Sequence, residues 1–194
     1  MTLSLEPQTP AVYAAGLAGL RAVLGAPARA GLVLTEVPAP KRLAPYAVAV
    51  AAEVLRGDDE VASGRFVVLH DPAGQEGWRG DTRVVAFVSA DVEPEMAADP
   101  SLGEVGWSWL TEALATCPHT AAGGTVTRTV SSRFGQIAEP VEASELEVRA
   151  SWTPLPAADG SLDLVAHLEA WCALLCATAG LPPAGVTVLP VRTS

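Results

Sequence analysis

One short stretch of the chain, from His70 to Asp81, concentrates side chains that could do chemistry. His70 and Asp71 could act as a general base with its orienting carboxylate, or as metal ligands. Glu76 and Asp81 could complete such a site, as in a metal-assisted hydrolase or phosphoesterase. Proline and glycines also build turns, in which the Asp71 side chain bonds nearby amides while Trp78 anchors the loop to the core. Both interpretations are open, and we commit to no catalytic residue.

A second set of candidates lies in a threonine-rich segment further along the chain. Thr125 and Thr127 could offer hydroxyls to an anion or to a peptide strand. Arg128 and Arg133 could add guanidiniums to the same surface. The alternative is ordinary strand chemistry, since threonine favours strands and Arg128 could pair with a glutamate across the sheet.

Tryptophan supplies a third possibility, a pocket for a small ligand. Trp107 could line such a pocket with Trp109, Trp152 and Trp171, because aromatic walls with a few polar groups are typical of ligand sites. Core or interface packing is the favoured interpretation of these rings. The sequence contains no Walker loop, dinucleotide fingerprint, nucleophile elbow or zinc-site spacing. We therefore predict no cofactor.

Acidic residues and cysteines could also suggest a metal. Asp91, Glu93, Glu95 and Asp99 form an acidic run, but it lacks the spacing and central glycine of a calcium loop. A solvated face before a helix N-terminus, where carboxylates complement the dipole, is favoured. The three cysteines, Cys117, Cys172 and Cys176, fall within helical patterns and are interpreted as small core residues. No metal site is predicted.

Composition narrows the class of protein. Among 194 residues, 22 are acidic and 12 basic, and the net charge of −10 argues against a direct nucleic-acid binder. Only 18% of residues are charged and the mean hydropathy is +0.30, which favours a homo-oligomer, most simply a dimer. No secretory signal is visible, and the longest apolar run is shorter than the roughly 20 residues that span a bilayer. We expect a cytoplasmic protein that does not enter membranes.

Periodicity predicts the order of helices and strands. Thr9 and Pro10 begin a first helix, which Gly25 and Pro27 end. Alternating residues then predict four strands, a helix announced by the Ser101 to Glu104 capping-box spacing, a turn at Gly123 and Gly124, two further strands and a last helix that begins at residues 159–161. The predicted strands cover residues 32–37, 46–54, 65–69, 82–90, 125–133 and 145–153.

The order α-β-β-β-β-α-β-β-α has no regular alternation of strand and helix. It therefore predicts an α+β fold, a single-domain antiparallel sheet packed with about three helices. We expect residues 1–194 to form one domain with flexible tails at 1–8 and 188–194. The strands at 125–133 and 145–153 should pair as a hairpin, but either of two alternating sets in the first strand could face the core.

Several segments resemble a known family: residues 43–46 (Leu-Ala-Pro-Tyr), 70–76, 93–100, 104–110, 123–129 and 171–172. Together they identify the chain, from about Tyr13 to Val186, as similar to the actinobacterial family called domain of unknown function 3000. The resemblance implies a cytoplasmic protein of this size with no assigned activity, often encoded beside a ribonuclease D-like gene. It carries over no catalytic residue.

Three functions follow as hypotheses. The leading one is a non-catalytic α+β module that acts through a protein partner or by self-assembly, linked to RNA metabolism through a partner. It depends on the high apolarity and on a last helix that is apolar almost all round. The alternatives are a metal-assisted hydrolase that uses His70 to Asp81, and a small-ligand binding protein.

Overall fold

The fold is described from a computed structural model, which covers residues 10–24, 31–132, 134 and 143–181. The predicted tails at 1–8 and 188–194 lie outside these residues. So do Arg133, the stop signals at Gly25 and Pro27, and residues 135–142 between the last two strands.

In the described part of the chain, six antiparallel strands form a single sheet in the order β1-β2-β3-β4-β6-β5. Each strand pairs with its neighbour in the chain except that β6 lies between β4 and β5. The strands are β1 (Leu32–Val37), β2 (Tyr46–Arg56), β3 (Asp59–His70), β4 (Thr82–Asp91), β5 (His119–Ser131) and β6 (Ala143–Pro154).

Four helices accompany the sheet within the described residues, so the predicted α+β class is confirmed. They are α1 (Ala11–Leu24), α2 (Pro94–Ala98), α3 (Leu102–Leu114) and α4 (Leu164–Thr178). The short α2 was not expected as a separate helix and forms within the acidic run. Among the described helices, none is long and apolar enough to cross a membrane.

All four helices pack on one face of the sheet, which we call the helix face. Val50, Phe66, Ala86 and Ala150 occupy one row across this face and are buried. Trp171 of α4 packs near Phe66 with ring centroids 5.6 Å apart and planes tilted by 38°. The main hydrophobic core therefore lies between the helices and this face.

The opposite face, which we call the open face, carries a smaller apolar cluster. Ala49, Val67 and Leu69 are buried there, and the half-buried Trp78 packs on them. The segments before β2 and between β3 and β4 thus cover one end of the open face. Its other end is formed by side chains that no described helix covers.

Strand β3 is longer than its predicted extent. It begins at Asp59, directly after a two-residue turn of Gly57 and Asp58, in which Gly57 has a φ of 69°. A tight turn of this kind needs positive φ, which glycine supplies at no steric cost. The acidic residues Asp59 and Glu60 therefore belong to the start of the strand.

The second helix begins where predicted, with Ser101 at its N-cap, but the expected capping box does not form, and the predicted start of the last helix is wrong. Ser101 makes no side-chain cap to α3; instead the Asp99 carboxylate accepts hydrogen bonds from the Ser101 amide at 2.8 Å and hydroxyl at 2.7 Å. The last helix begins at Leu164, where Asp163 caps the Ala166 amide at 3.0 Å. Asp159 and Ser161 form a separate turn, because short polar side chains can bond nearby amides without starting a helix.

The predicted turn at Gly123 and Gly124 is also wrong, since both glycines lie inside β5. A Cβ atom at Gly124 would overlap the Arg149 carbonyl oxygen and lie 2.8 Å from the Ala150 Cα atom. Glycine is therefore required by the close approach of β5 to β6. The irregularity in this strand falls earlier, where the register shifts between Thr120 and Gly123.

Candidate functional site

The loop from His70 to Asp81 is closed by its own hydrogen bonds. The Asp71 amide donates to the Asp81 carbonyl at 2.8 Å. The Asp71 carboxylate accepts from the Ala73 amide at 3.1 Å and from Gln75 Nε2 at 3.2 Å. Its oxygens thus stabilise the turn, the structural role considered for an Asp-Pro pair.

His70 lies on the helix face and is only 4% exposed. Its Nδ1 atom is 2.9 Å from the Thr82 hydroxyl, which donates to the Asp81 carboxylate at 2.9 Å. Its ring stacks on Tyr13 of α1, with centroids 4.7 Å apart and planes 8° apart. Burial raises the pKa of Tyr13 to about 12. A helix thus covers the imidazole.

The hydrolase hypothesis requires His70, Asp71, Glu76 and Asp81 to converge. Only His70 and Asp81 form a pair, at 3.9 Å between Nδ1 and Oδ1, and Thr82 bridges them. Within the described ranges, no group of three or more histidine, cysteine, aspartate or glutamate side chains could hold a metal. This geometry lends no support to a metal-assisted mechanism in the loop.

Trp78 anchors the loop to the open face. Its ring packs against the buried side chains of Ala49, Val67 and Leu69, and its carbonyl accepts a hydrogen bond from the Thr153 hydroxyl of β6. The loop is therefore fixed to two parts of the sheet, by apolar contact and by a hydrogen bond.

The register of β5 decides which of its side chains are accessible. Thr125, Thr127 and Thr129 are exposed on the open face, opposite Arg149, Glu147 and Glu145 of β6. Val126, Arg128 and Val130 share the helix face with Leu146 and Val148. The predicted β5–β6 hairpin is confirmed, and the open question of which set faces the helices is answered.

Arg128 does not bridge to a glutamate of β6. Its Nη1 atom donates to the Asp99 carbonyl at 2.6 Å and to the Ala97 carbonyl at 3.2 Å, at the end of α2. A guanidinium there satisfies carbonyl groups that a helix C-terminus leaves unpaired. The sheet edge and the short helix are thereby joined.

Strand β5 is an edge of the sheet, since no described strand pairs with its outer side. Nearly all of it is exposed from Gly123 to Ser131. Exposed apolar side chains lie on elements that contact it: Met96 of α2 is 43% exposed and Val105 of α3 is 38% exposed, while Val130 of the strand itself is 55% exposed. An open ladder of backbone groups thus lies beside apolar surface.

The tryptophans belong mostly to the core. Trp152 and Trp171 are fully buried, and Trp107 and Trp109 are partly buried against the same cluster. A shallow cleft of about 460 Å³ lies between α1 and residues 159–165, and no tryptophan lines it. These positions lend no support to a tryptophan-walled ligand pocket.

Cys117, with the neighbouring His119, and Cys172 have structural roles. The His119 Nδ1 atom is 2.7 Å from the Cys117 carbonyl, and the Cys117 thiol donates to the Ala166 carbonyl at 3.4 Å. Burial raises the pKa of Cys117, and it raises that of Cys172 to about 12. These thiols thus stay protonated near neutral pH, which agrees with their interpretation as core residues.

His167 is buried and predicts a pH dependence of stability. Its Nδ1 atom accepts a hydrogen bond from Trp152 Nε1 at 3.1 Å, and burial lowers its pKa from 6.5 to about 4. Between these values the unfolded chain binds more protons than the folded one. The contribution is therefore fully present above pH 6.5 and is lost as the pH falls towards 4, to a total of about 3 kcal/mol.

The measurement is urea unfolding of the wild type and of His167→Gln at pH 7.5 and pH 4.5. Gln retains an acceptor for Trp152 but does not titrate. We expect the variant to lose about 2 kcal/mol less stability than the wild type between the two pH values. His119→Gln is the comparison variant: because the charge of His119 also helps to lower the pKa of His167, this variant should lose slightly less stability than the wild type but clearly more than His167→Gln. Equal losses in the wild type and His167→Gln would contradict the role of His167.

Sequence reasoning missed Arg83, whose side chain lies on the open face beside the loop. Its Nη1 atom donates to the Ala121 carbonyl at 2.9 Å and to the Thr153 hydroxyl at 3.1 Å. Its Nη2 atom donates to the Ser151 hydroxyl at 2.6 Å. No motif marks this arginine in the sequence, because its partners come from β5 and β6.

Comparison with known proteins places the chain in a family. A family model described as a protein of unknown function, DUF3000, matches residues 9–187. The chain belongs to the DUF3000 family. No curated protein matches it, and no solved structure matches it.

Membership in DUF3000 brings no assigned residues, so the candidate sites of this DUF3000 protein rest on geometry. Core packing does not account for the outer edge of β5 or for the guanidinium of Arg83. The edge offers backbone hydrogen-bonding groups to a strand, and Arg83 offers N–H groups to an acceptor.

Proposed function

We propose that this DUF3000 protein is a non-catalytic interaction module that forms a homodimer by pairing the outer edge of β5 with the same edge of a second copy. The observation that carries the proposal is the thirteen-residue edge strand, exposed along most of its length, whose outer side pairs with no described strand. Such edges pair readily with another chain unless something protects them.

The two edges of the sheet differ in protection. Strand β1 has only six residues and is followed by Pro38 and Pro40, and its Glu36 forms an ion pair with Arg21 of α1. Strand β5 has no proline and no lysine, and its one arginine, Arg128, bonds to the end of α2. Short strands, prolines and charges discourage strand addition, so β5 is the better docking edge.

A symmetric antiparallel pairing centred on Thr127 fits the sequence of β5. It places Thr127 opposite itself, Thr129 opposite Thr125 and Arg128 opposite Val126. No like charges face each other, and facing threonines are favourable cross-strand pairs. Closed two-fold symmetry also uses the same edge on both copies, which ends assembly at a dimer.

Apolar surface beside the edge supports the same partner. Met96, Val105 and Val130 are exposed on the helix side of β5, where two-fold pairing would bring the two copies together. Burial of apolar area contributes about 25 cal/mol per Å². The high mean hydropathy of the chain agrees with surface that is buried in an assembly.

Substitution of Thr127 tests the dimer. Within one copy, Thr127→Lys places an ammonium opposite Glu147 of β6, which is a favourable cross-strand pair. Across the two-fold axis, it places two ammonium groups opposite each other. We expect sedimentation velocity to detect a dimer for the wild type and a dissociation constant at least about tenfold higher for the variant.

The matched control is Thr35→Lys, at an exposed open-face position on the other edge strand, β1. It should leave the dimer unchanged. A wild type that stays monomeric at about 100 µM would overturn the proposal, and so would equal dimer affinity in Thr127→Lys and the wild type. Dimer loss with Thr35→Lys alone would assign the interface to β1.

A protein partner in RNA metabolism, suggested by the family resemblance, stays a prediction. A partner that supplied an extended strand could use the same edge, in competition with the second copy. Of these two occupants of the β5 edge, the exposed edge and the neighbouring apolar side chains support a second copy of the chain best. A cytoplasmic location likewise stays a prediction.

A further inference from the structure

Arg83 presents a partly buried charge that no carboxylate neutralises among the residues the structure describes. Its three hydrogen-bond acceptors are the neutral oxygens of Ala121, Ser151 and Thr153. The arginine–carboxylate ion pairs among the described residues are Arg21 with Glu36 and Arg149 with Glu147, and neither involves Arg83. Burial lowers the pKa of Arg83, as expected where a cation loses water without gaining an anion.

The guanidinium retains hydrogen-bonding capacity. It has five N–H groups, of which the two on Nη1 and one on Nη2 donate to the three oxygens. The Nε–H and the second Nη2–H have no acceptor within the described part of the chain. A guanidinium can present two such donors as a fork that matches a carboxylate or phosphate.

The groups around Arg83 hold it in place. Thr153 is buried; it accepts from Arg83 and donates to the carbonyl of Trp78 in the neighbouring loop. The bonded carbonyl of Ala121 belongs to the irregular part of β5, where Ala121 has a φ of 51°. Left-handed φ is costly for alanine, so this carbonyl is held by its surroundings. The guanidinium is therefore oriented before any ligand arrives.

We propose that Arg83 is the centre of an oxyanion site on the open face, which accepts a carboxylate or phosphate group through its Nε–H and remaining Nη2–H. A partly desolvated cation gains more from an anion than an exposed one does. Arg65 lies on the same face but is exposed, so solvent and salt screen its charge and it is not part of the site. The site is independent of the β5 dimer proposed above.

Titration of the Arg83 Nε–H resonance by nuclear magnetic resonance tests the site. The full-length protein is titrated separately with sodium phosphate and sodium acetate at constant ionic strength. We expect saturable shifts of the Arg83 Nε–H and of the amides of Ala121, Ser151 and Thr153. The anion that saturates at lower concentration identifies phosphate or carboxylate as the preferred group. Shifts that stay linear, or that scatter over the surface, would overturn the proposal.

Two variants distinguish anion binding by the planar Arg83 guanidinium from attraction to any positive charge. Arg83→Lys retains the positive charge but has no planar fork, and we expect its anion affinity to fall at least tenfold. Arg65→Gln is the control, since this exposed side chain has no hydrogen-bond partner in the described residues, and affinity should change less than twofold. Equal affinity in Arg83→Lys and the wild type would overturn the site.

A folding control and a titration of the dimer variant test the anion site separately from the dimer. Because Arg83 links three elements, Arg83→Lys is first compared with the wild type by circular dichroism; if it is unfolded, the wild-type titration alone decides. The titration is then repeated on Thr127→Lys. Saturable binding in that variant would support the site whatever its oligomeric state, whereas loss of binding there would overturn the claim of independence.

Discussion

Gly64→Ala is expected to destabilise the fold by about 3 to 4 kcal/mol, since overpacking a core can cost about 3 and a lost hydrogen bond about 1 kcal/mol. A Cβ atom at this position of β3 would lie 2.6 Å from the Phe87 carbonyl oxygen and 2.9 Å from Trp171 Cζ2. The same carbonyl accepts the hydrogen bond from Trp171 Nε1 at 3.2 Å. The methyl group therefore displaces both the indole and its acceptor.

Urea unfolding at pH 7.5 measures the effect, with tryptophan fluorescence as the probe. The control is Gly103→Ala, whose Cβ atom would meet nothing within 4 Å and which lies in α3. Alanine in a helix is more favourable than glycine by about 1 kcal/mol, so the control should be neutral or stabilising. A loss below about 1 kcal/mol for Gly64→Ala would show that α4 can shift to accommodate the methyl group.

Gly124→Ala is expected to separate β5 from β6 and to remove the dimer with it. Its Cβ atom would overlap a carbonyl oxygen of the paired strand, and backbone atoms cannot rotate away as a side chain can. We expect a loss of about 3 kcal/mol, at the upper end of overpacking costs. Hydrogen exchange of the β5 and β6 amides should accelerate more than that of β2 and β3.

The adjacent Gly123→Ala is the matched control, because its Cβ atom would meet nothing within 4 Å. It should retain wild-type stability to within about 0.5 kcal/mol and the same sedimentation behaviour. If both variants dimerise as the wild type does, the dimer cannot depend on the geometry of β5. If both are equally destabilised, the close approach at Gly124 is not the cause.

Residue periodicity was sufficient to predict the helices and strands whose pattern lies within one short segment of the chain. Alternation predicted the residues of β1 and those of the buried face of β6, Leu146, Val148, Ala150 and Trp152. Helical spacing predicted α1 and α3. Glycine was ambiguous, because the same residue permits a turn and a close approach of two strands; Gly57 is the first case and Gly124 the second.

The candidate site was only partly predictable. The side chains of β5 were identified, but a two-residue period allows either face to be buried, and pairing with β6 decides that Thr125, Thr127 and Thr129 are outside. The residue types of the loop at His70 suggested a catalytic or metal site. The structure instead commits Asp71 to a turn and covers His70 with Tyr13 of α1.

Residue patterns alone were enough to predict the α+β class, the order of the elements and the resemblance to the DUF3000 family. The strand order, the exposed edge of β5 and the setting of Arg83 could not be predicted, because the partners of Arg83 at Ala121 and Ser151 are far from it in the chain. Propensity and periodicity act between near neighbours. The partners of an edge or of a buried charge are instead set by contacts between distant segments.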